Sequence, residues 1–356
     1  MPFGGSGVFF VQPSLRTPYI YQYNLSLQRE LRRNLIAEAN YVGSASHKLT
    51  DLVDRNPFIL GTTHRLLNTE PGNTDGSFSF IDEFRNVANA NHNSLQASLT
   101  KGFSETKFFG NTFFSLGYTW AHSIDNASGF RNRNSRTPFY TPGQFRASSD
   151  FDIRHRITFG GGWDLPFDHW WSSGPKRLTH GFSVYPIASY RSGFPLDVFA
   201  GGSRSRTRPG PSAAGDPNLV RAQLLSPIVL FDPKVPQTLR SRFGNYYFDP
   251  SIFGGIALLG GSTCTPCVTN PALRTYGSLP RNAFRGPSRT NFDLGLGKST
   301  PLWGEKARLE FRAEFFNILN TAQFRDPSTS ITSGTFGQIS TTFDPRIIQF
   351  AMKFIY

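Results

Sequence analysis

No stretch of this 356-residue chain approaches the roughly 18 consecutive apolar residues that a membrane-crossing helix needs. Mean hydropathy is −0.33. Cysteine occurs only twice, at Cys264 and Cys267. The seven histidines form no cluster with Cys or carboxylates at zinc-site spacing. Gly160-Gly161-Gly162 lacks the lysine and following helix of a phosphate loop, and fits a bend or close strand packing instead. Asp152 precedes Arg154-His155-Arg156, but no nucleophile motif accompanies that acid and histidine. A structural network is therefore expected there, with no catalytic residue, metal or cofactor anywhere in the chain. The opening Met1-Pro2-Phe3-Gly4-Gly5 has neither a basic n-region nor an apolar h-region, so no signal peptide is visible.

Aromatic residues, by contrast, are abundant. Phe occurs 35 times and aromatics make up 15% of the chain. Many aromatics in a polar chain suit strands with one greasy and one wet face. A large soluble β-sandwich shares part of that signature. The formal charge of +13 raises a nucleic-acid reading. However, Arg131, Arg133 and Arg136, like Arg204, Arg206 and Arg208, lie in polar segments rather than on a binding helix. Solvated loop charge explains them, and no nucleic-acid partner is expected.

Period-2 alternation gives the organisation. From Arg346 to Tyr356, residues Ile348, Phe350, Met352, Phe354 and Tyr356 share one face. That length is what a tilted strand needs to cross a bilayer. In Lys306–Asn317, Leu309, Phe311 and Phe315 oppose Arg308, Glu310, Arg312 and Glu314. A helix would mix those charges into the apolar stripe. Similar runs are Tyr19–Arg29, Asn34–Gly43, His92–Gly102, Phe109–Ala121, Arg154–Trp163, Phe182–Phe199 (interrupted near Gly193-Phe194-Pro195) and Arg289–Ser299.

The connections between these nine runs alternate between short and long, with one intermediate connection from Trp163 to Phe182. Outer-membrane barrels have this asymmetry, with tight periplasmic turns and long extracellular loops. The expected fold is all-β, an antiparallel up-and-down transmembrane β-barrel segment. Residues 1–18 would be the tail of an extracellular loop and residues 19–356 a partial barrel, with a long loop at about 200–288. Nine strands are an odd number and would not finish a barrel whose ends both lie in the periplasm. The expectation is therefore a truncated chain, or one whose missing strands come from another polypeptide.

Several segments, in order, resemble the barrel of Oar-like TonB-dependent receptors. They include Tyr118-Thr119-Trp120-Ala121-His122-Ser123-Ile124-Asp125-Asn126 and Asp150-Phe151-Asp152-Ile153-Arg154-His155-Arg156. They continue with Arg281-Asn282-Ala283-Phe284-Arg285-Gly286-Pro287 and Arg312-Ala313-Glu314-Phe315-Phe316-Asn317-Ile318-Leu319-Asn320. The resemblance implies an outer-membrane receptor and transporter whose wall has about twenty-two strands. It also implies a plug and a periplasmic segment contacting the TonB complex, neither of which is present in this sequence.

Gln349, Ala351, Phe354 and Tyr356 fit the terminal pattern read by the barrel-assembly machinery, although glycine is more usual at the second place and phenylalanine at the last. Trp163, Phe167, Trp170 and Trp171 suit an aromatic girdle at the membrane interface. Cys264 and Cys267, set in loop chemistry, are expected to form a local disulfide in an oxidising compartment. The partners expected are outer-membrane lipid and a ligand that the sequence does not name. A surface-adhesion or structural barrel without active transport is the alternative function.

Overall fold

The computed structural model describes residues 7–56, 66–73, 78, 81–106, 110–128, 137–138, 145–171, 174–198, 222–239, 241–256, 267–268, 278–303, 307–331 and 333–356. Nine long strands form one meandering antiparallel path. They are β1 (Tyr19–Arg32), β2 (Leu35–Asp54), β3 (Ile81–Thr106), β4 (Gly110–Asp125), β5 (His155–Leu165), β6 (Phe182–Arg191), β7 (Arg289–Trp303), β8 (Ala307–Phe316) and β9 (Ile347–Ile355). Each pairs with its sequence neighbour, so all nine expected runs are strands in the expected up-and-down order. Among the described residues, β1 and β9 are the two ends of the path and do not pair with each other.

Register carries the alternation across the whole sheet. One row runs Leu27, Ala39, Ala97, Tyr118, Ile157, Tyr190. The row beside it, on the opposite face, runs Ser26, Asn40, Gln96, Thr119, Arg156, Arg191. Further along, Val184, Leu296, Ala313 and Phe350 continue the apolar face. Among the described residues no second layer covers that face: Leu116, Ile157 and Leu296, all on inner strands, remain 39% exposed, and Phe350 and Met352 on β9 reach 68% and 69%. A sandwich would have buried these residues. A patch of this extent is stable only in an apolar solvent or against a partner.

The ends of the sheet differ. At one end the turns are tight: β1 and β2 are joined by Arg33-Asn34, with Asn34 in the left-handed region at φ 64°. Gly181, at φ +76°, stands where a Cβ would lie 2.2 Å from the Ser299 carbonyl, so only glycine fits. Trp163 meets Trp170 edge-on at 6.4 Å, and Phe167 meets Phe182 at 5.4 Å, in the connection that carries the short helices Phe167–Trp170 and Lys176–Thr179.

At the other end, here called the rim, strands and loops extend beyond the apolar belt. β2 and β3 run past the expected Gly43 and His92 limits, because their outer residues turn polar and pair with each other instead of ending. Val8–Val11 adds to this extension, parallel to Ile81–Phe84.

Strand β6 ends at Arg191, next to the interruption expected near Gly193-Phe194-Pro195. Pro195–Leu196 instead pairs with Phe284–Arg285, and a Cβ on Gly193 would lie 1.8 Å from the Gly286 carbonyl. That close approach pulls the chain off the wall.

Beyond the rim, described residues from 196–198, 222–239, 241–256, 278–285, 324–331 and 333–343 share a small core. Phe248 is fully buried and meets Phe253, Phe284 and Phe336 at 5.2–5.3 Å. This cap is the described part of the long loop expected at about 200–288, joined by the β8–β9 connection. Cys264 lies outside the described residues, and with it the expected disulfide to Cys267.

Candidate functional site at the rim

The cap is fastened to the wall by the segments that carry the family resemblance. Arg281, 2% exposed, donates from Nη1 to Asp125 Oδ1 at 2.7 Å and to the Phe145 carbonyl at 3.2 Å. Its Nη2 donates to Asp150 Oδ1 at 2.9 Å and to the Ser128 hydroxyl. Asn282 adds a bond to the same Asp150 oxygen at 2.8 Å. Burial alone would raise the Asp150 carboxyl, but the bonds from Arg281 and Asn282 outweigh it and hold its pKa below the ordinary value. Burial likewise opposes the Arg281 cation, and the two carboxylates more than restore it.

A second knot centres on Asp152, 2% exposed. Its Oδ1 accepts the Ser123 backbone N–H at 2.7 Å. Its Oδ2 faces His122 Nδ1 and Arg154 Nε, each at 3.2 Å, and accepts from Arg285. Arg285 also donates to the Asp152 and Gly193 carbonyls. The expected structural network around Asp152 is present, but its histidine is His122. His155 pairs instead with the Tyr118 hydroxyl at 3.0 Å. The other nitrogen of His122 faces Arg154 at 3.1 Å, so neither ring nitrogen faces a hydroxyl it could activate.

Within Arg281-Asn282-Ala283-Phe284-Arg285, the two guanidiniums clasp the wall while Phe284 enters the cap core. Tyr247 of the cap closes the arrangement by donating to the Arg285 carbonyl at 2.9 Å. Burial and the Asp326 charge push its phenol up to about 12, so it stays a donor.

A third knot holds the base of the β8–β9 connection. Asp293 Oδ1 accepts the Asn317 N–H at 2.7 Å, and Asn291 donates to both Asp293 oxygens at 2.8 Å. Gln323 accepts from Arg289 Nε at 2.9 Å and donates to Asn291 at 3.0 Å. Asn317 and Asn320 are left-handed, at φ 50° and 51°, which asparagine tolerates better than most residues.

Under the rim, grooves open on the polar face. A groove of about 400 Å³ is lined by Glu38, Asn40, Gln96, Ser98, Thr119 and Arg156. Another of about 310 Å³ is lined by Tyr185, Ile187, Asp293, Arg312 and Glu314 among others. Sequence reasoning named no residue of either groove as a site, because alternation marks a face without saying where it is concave.

The terminal residues divide between the two faces. Gln349 donates to Glu314, and Ala351 stands opposite Arg312, on the polar side. Phe354 stacks on Tyr356 at 5.9 Å on the apolar side.

Comparison with known proteins gives the family. Among solved structures, the chain resembles the outer membrane transporter YddB from Escherichia coli, with 12% identity over 99% of this chain and 34% of that one, TM-score 0.47. It also resembles FpvA of Pseudomonas aeruginosa bound to heterologous pyoverdines, with 10% identity over 94% of this chain and 27% of that one, TM-score 0.41. The chain thus spans about a third or less of those proteins' length. No curated protein sequence matches it. The family model described as outer membrane beta barrel domain matches residues 2–349. The bare apolar belt, the tight turns at one end and the capped loops at the other thus have their explanation: this chain belongs to the outer membrane β-barrel family, and its place is the outer membrane.

Proposed function

We propose that this chain supplies part of the barrel wall and the ligand-capturing loops of a TonB-dependent outer-membrane receptor and transporter, and that it is not an enzyme. One observation carries the reading: a folded cap is clamped over the polar face of the wall through buried Arg281 and half-buried Arg285. Loops held rigidly over a polar lumen suit ligand capture, since binding residues concentrate on loops positioned by a fixed scaffold. A purely structural barrel has no need of a clamped cap. The resemblance in the rim motifs supports the TonB-dependent kind.

In this reading, residues 1–18 are the tail of an extracellular loop and the tight turns face the periplasm. Strands from elsewhere complete the barrel, because two open edges would leave backbone groups unpaired in hydrocarbon. Gln349, Ala351, Phe354 and Tyr356 serve as the signal for the barrel-assembly machinery. The TonB complex is reached through a separate periplasmic segment.

The genomic reading frame upstream of Met1 tests the proposal. An in-frame continuation encoding further alternating strands and a plug is the expected result. A frame without a plug or TonB-contact segment would overturn transport and favour the adhesion reading.

A further inference from the structure

Three arginines stand side by side on the polar face just beneath the cap. Arg156 on β5 is the direct register partner of Arg191 on β6, which is in turn the direct partner of Arg289 on β7. Directly opposed residues on neighbouring strands have Cβ atoms about 4.5–5.5 Å apart, and like charges in that relation are destabilising. Here the relation occurs twice in succession.

The wall does little to neutralise the row. Among the described residues, none of the three is in a salt bridge. Arg191 Nη1 is buried with no hydrogen-bond partner, while its guanidinium lies over the Phe194 ring at 4.4 Å. Arg289 donates to the neutral Gln323 and stacks on Phe343 at 4.1 Å. Arg325 of the cap covers the same ring at 4.5 Å and adds a fourth cation. Asp326 is the carboxylate whose charge reaches Arg191. Burial raises the pKa of Asp326, which weakens it as a counter-ion. Asp293 and Glu314 lie further down the wall, and Asp293 is occupied by Asn291 and the Asn317 N–H.

We propose that the Arg156–Arg191–Arg289 row is a binding site for the anionic group of a ligand, a carboxylate, sulfate or phosphate, entering the lumen beneath the cap. The inference rests on the reading of this face as the lumen wall. An anion placed across the row would remove the repulsion between neighbours. It would also fill the open donor of Arg191 with a charge-assisted bond, for which guanidinium and oxyanion are geometrically matched. The two aromatic stacks hold Arg191 and Arg289 in place beforehand.

The test is calorimetric titration of the full chain, folded in detergent micelles at low salt, with citrate, inorganic phosphate and neutral maltose. Citrate and phosphate are expected to bind and maltose not to. Arg156→Gln and Arg191→Gln should each weaken binding about tenfold or more, as loss of a charge-assisted bond implies, and Arg191→Lys should weaken it less. Arg308→Gln, on the same face but at the turn end, should leave it unchanged.

Absence of anion binding to the native chain, or equal weakening by Arg308→Gln, overturns the proposal. If Arg191→Gln does not fold, Arg156→Gln decides, since Arg156 is exposed and its side chain makes no hydrogen bond among the described residues. Its unfolding midpoint should hold or rise as the repulsion is relieved; a fall would assign the row a structural role and overturn the site. Binding with no TonB-dependent uptake would sink only the transport reading, while failure of the chain to fold in micelles or lipid would sink the lumen reading itself.

Discussion

The Arg281 guanidinium reaches back 156 positions along the chain to the Asp125 carboxylate, 2.7 Å away, with the two side chains only 1% and 3% exposed. Removing one member of such a pair leaves an unpaired buried charge, which costs about 3–5 kcal/mol. Arg281→Met and Asp125→Leu should therefore each loosen the cap. Replacing both should recover part of the loss, because neither member of the most deeply buried pair is left charged, while the more exposed Asp150 keeps its bond from Asn282. Limited proteolysis of residues 222–256 measures this directly. Faster cleavage in each single variant with the strands intact, and slower cleavage in the double variant, is the expected pattern. Unchanged cleavage in the single variants would remove Arg281 as the fastener.

Acid should act on the same clamp through Asp150. Its native pKa lies below the ordinary 3.8, so its contribution is fully present above that value. The contribution is lost as pH falls through the lowered native value. The protection of cap amides against hydrogen exchange, corrected for the intrinsic pH dependence of exchange, should be flat between about pH 7 and about pH 5, then fall toward about pH 3. Asp150→Asn should remove part of that fall and give lower protection at neutral pH. Matching profiles for the native chain and the Asp150→Asn variant would refute the assignment.

The two faces can be separated by adjacent residues on one strand. Leu116 lies on the apolar face of β4 and Ser115 on the polar face. An arginine on the lipid side costs about 2–4 kcal/mol near the bilayer midplane, whereas lumen substitutions are tolerated. Leu116→Arg should reduce the folded fraction in lipid, read as heat-shifted electrophoretic mobility, well below that of Ser115→Arg. Equal losses would contradict the orientation of the sheet.

Phe354 and Tyr356 project from the apolar side of the final strand, 50% and 94% exposed. If they serve as an assembly signal, Phe354→Ala and Tyr356→Ala should slow insertion into the outer membrane. Tyr356→Phe should match or exceed the native rate. A pulse-chase of membrane-inserted protein distinguishes these outcomes, and native-like insertion by both alanine variants would dismiss the signal.

The wall was legible because its information is local. Alternation with period 2 survives in any window of eight or more residues, so Arg308 to Phe315 announces a strand without reference to the rest of the chain. The rim was only half legible. His122, Asp152 and Arg285 were each visible inside a recurring segment, yet nothing local says that Arg285 lies across 133 residues from Asp152. The choice of His122 over His155 depends on strand register, which places His155 beside Tyr118 instead. The arginine row was invisible for the same reason: Arg156, Arg191 and Arg289 become neighbours only once three strands are aligned.

One property of the sheet restricts what else can join it. The first strand and the ninth both descend from the capped end toward the tight turns. Any polypeptide sealing both seams in antiparallel fashion must climb at each of them. A lone hairpin, whose two arms run in opposite senses, is accepted at one seam and refused at the other.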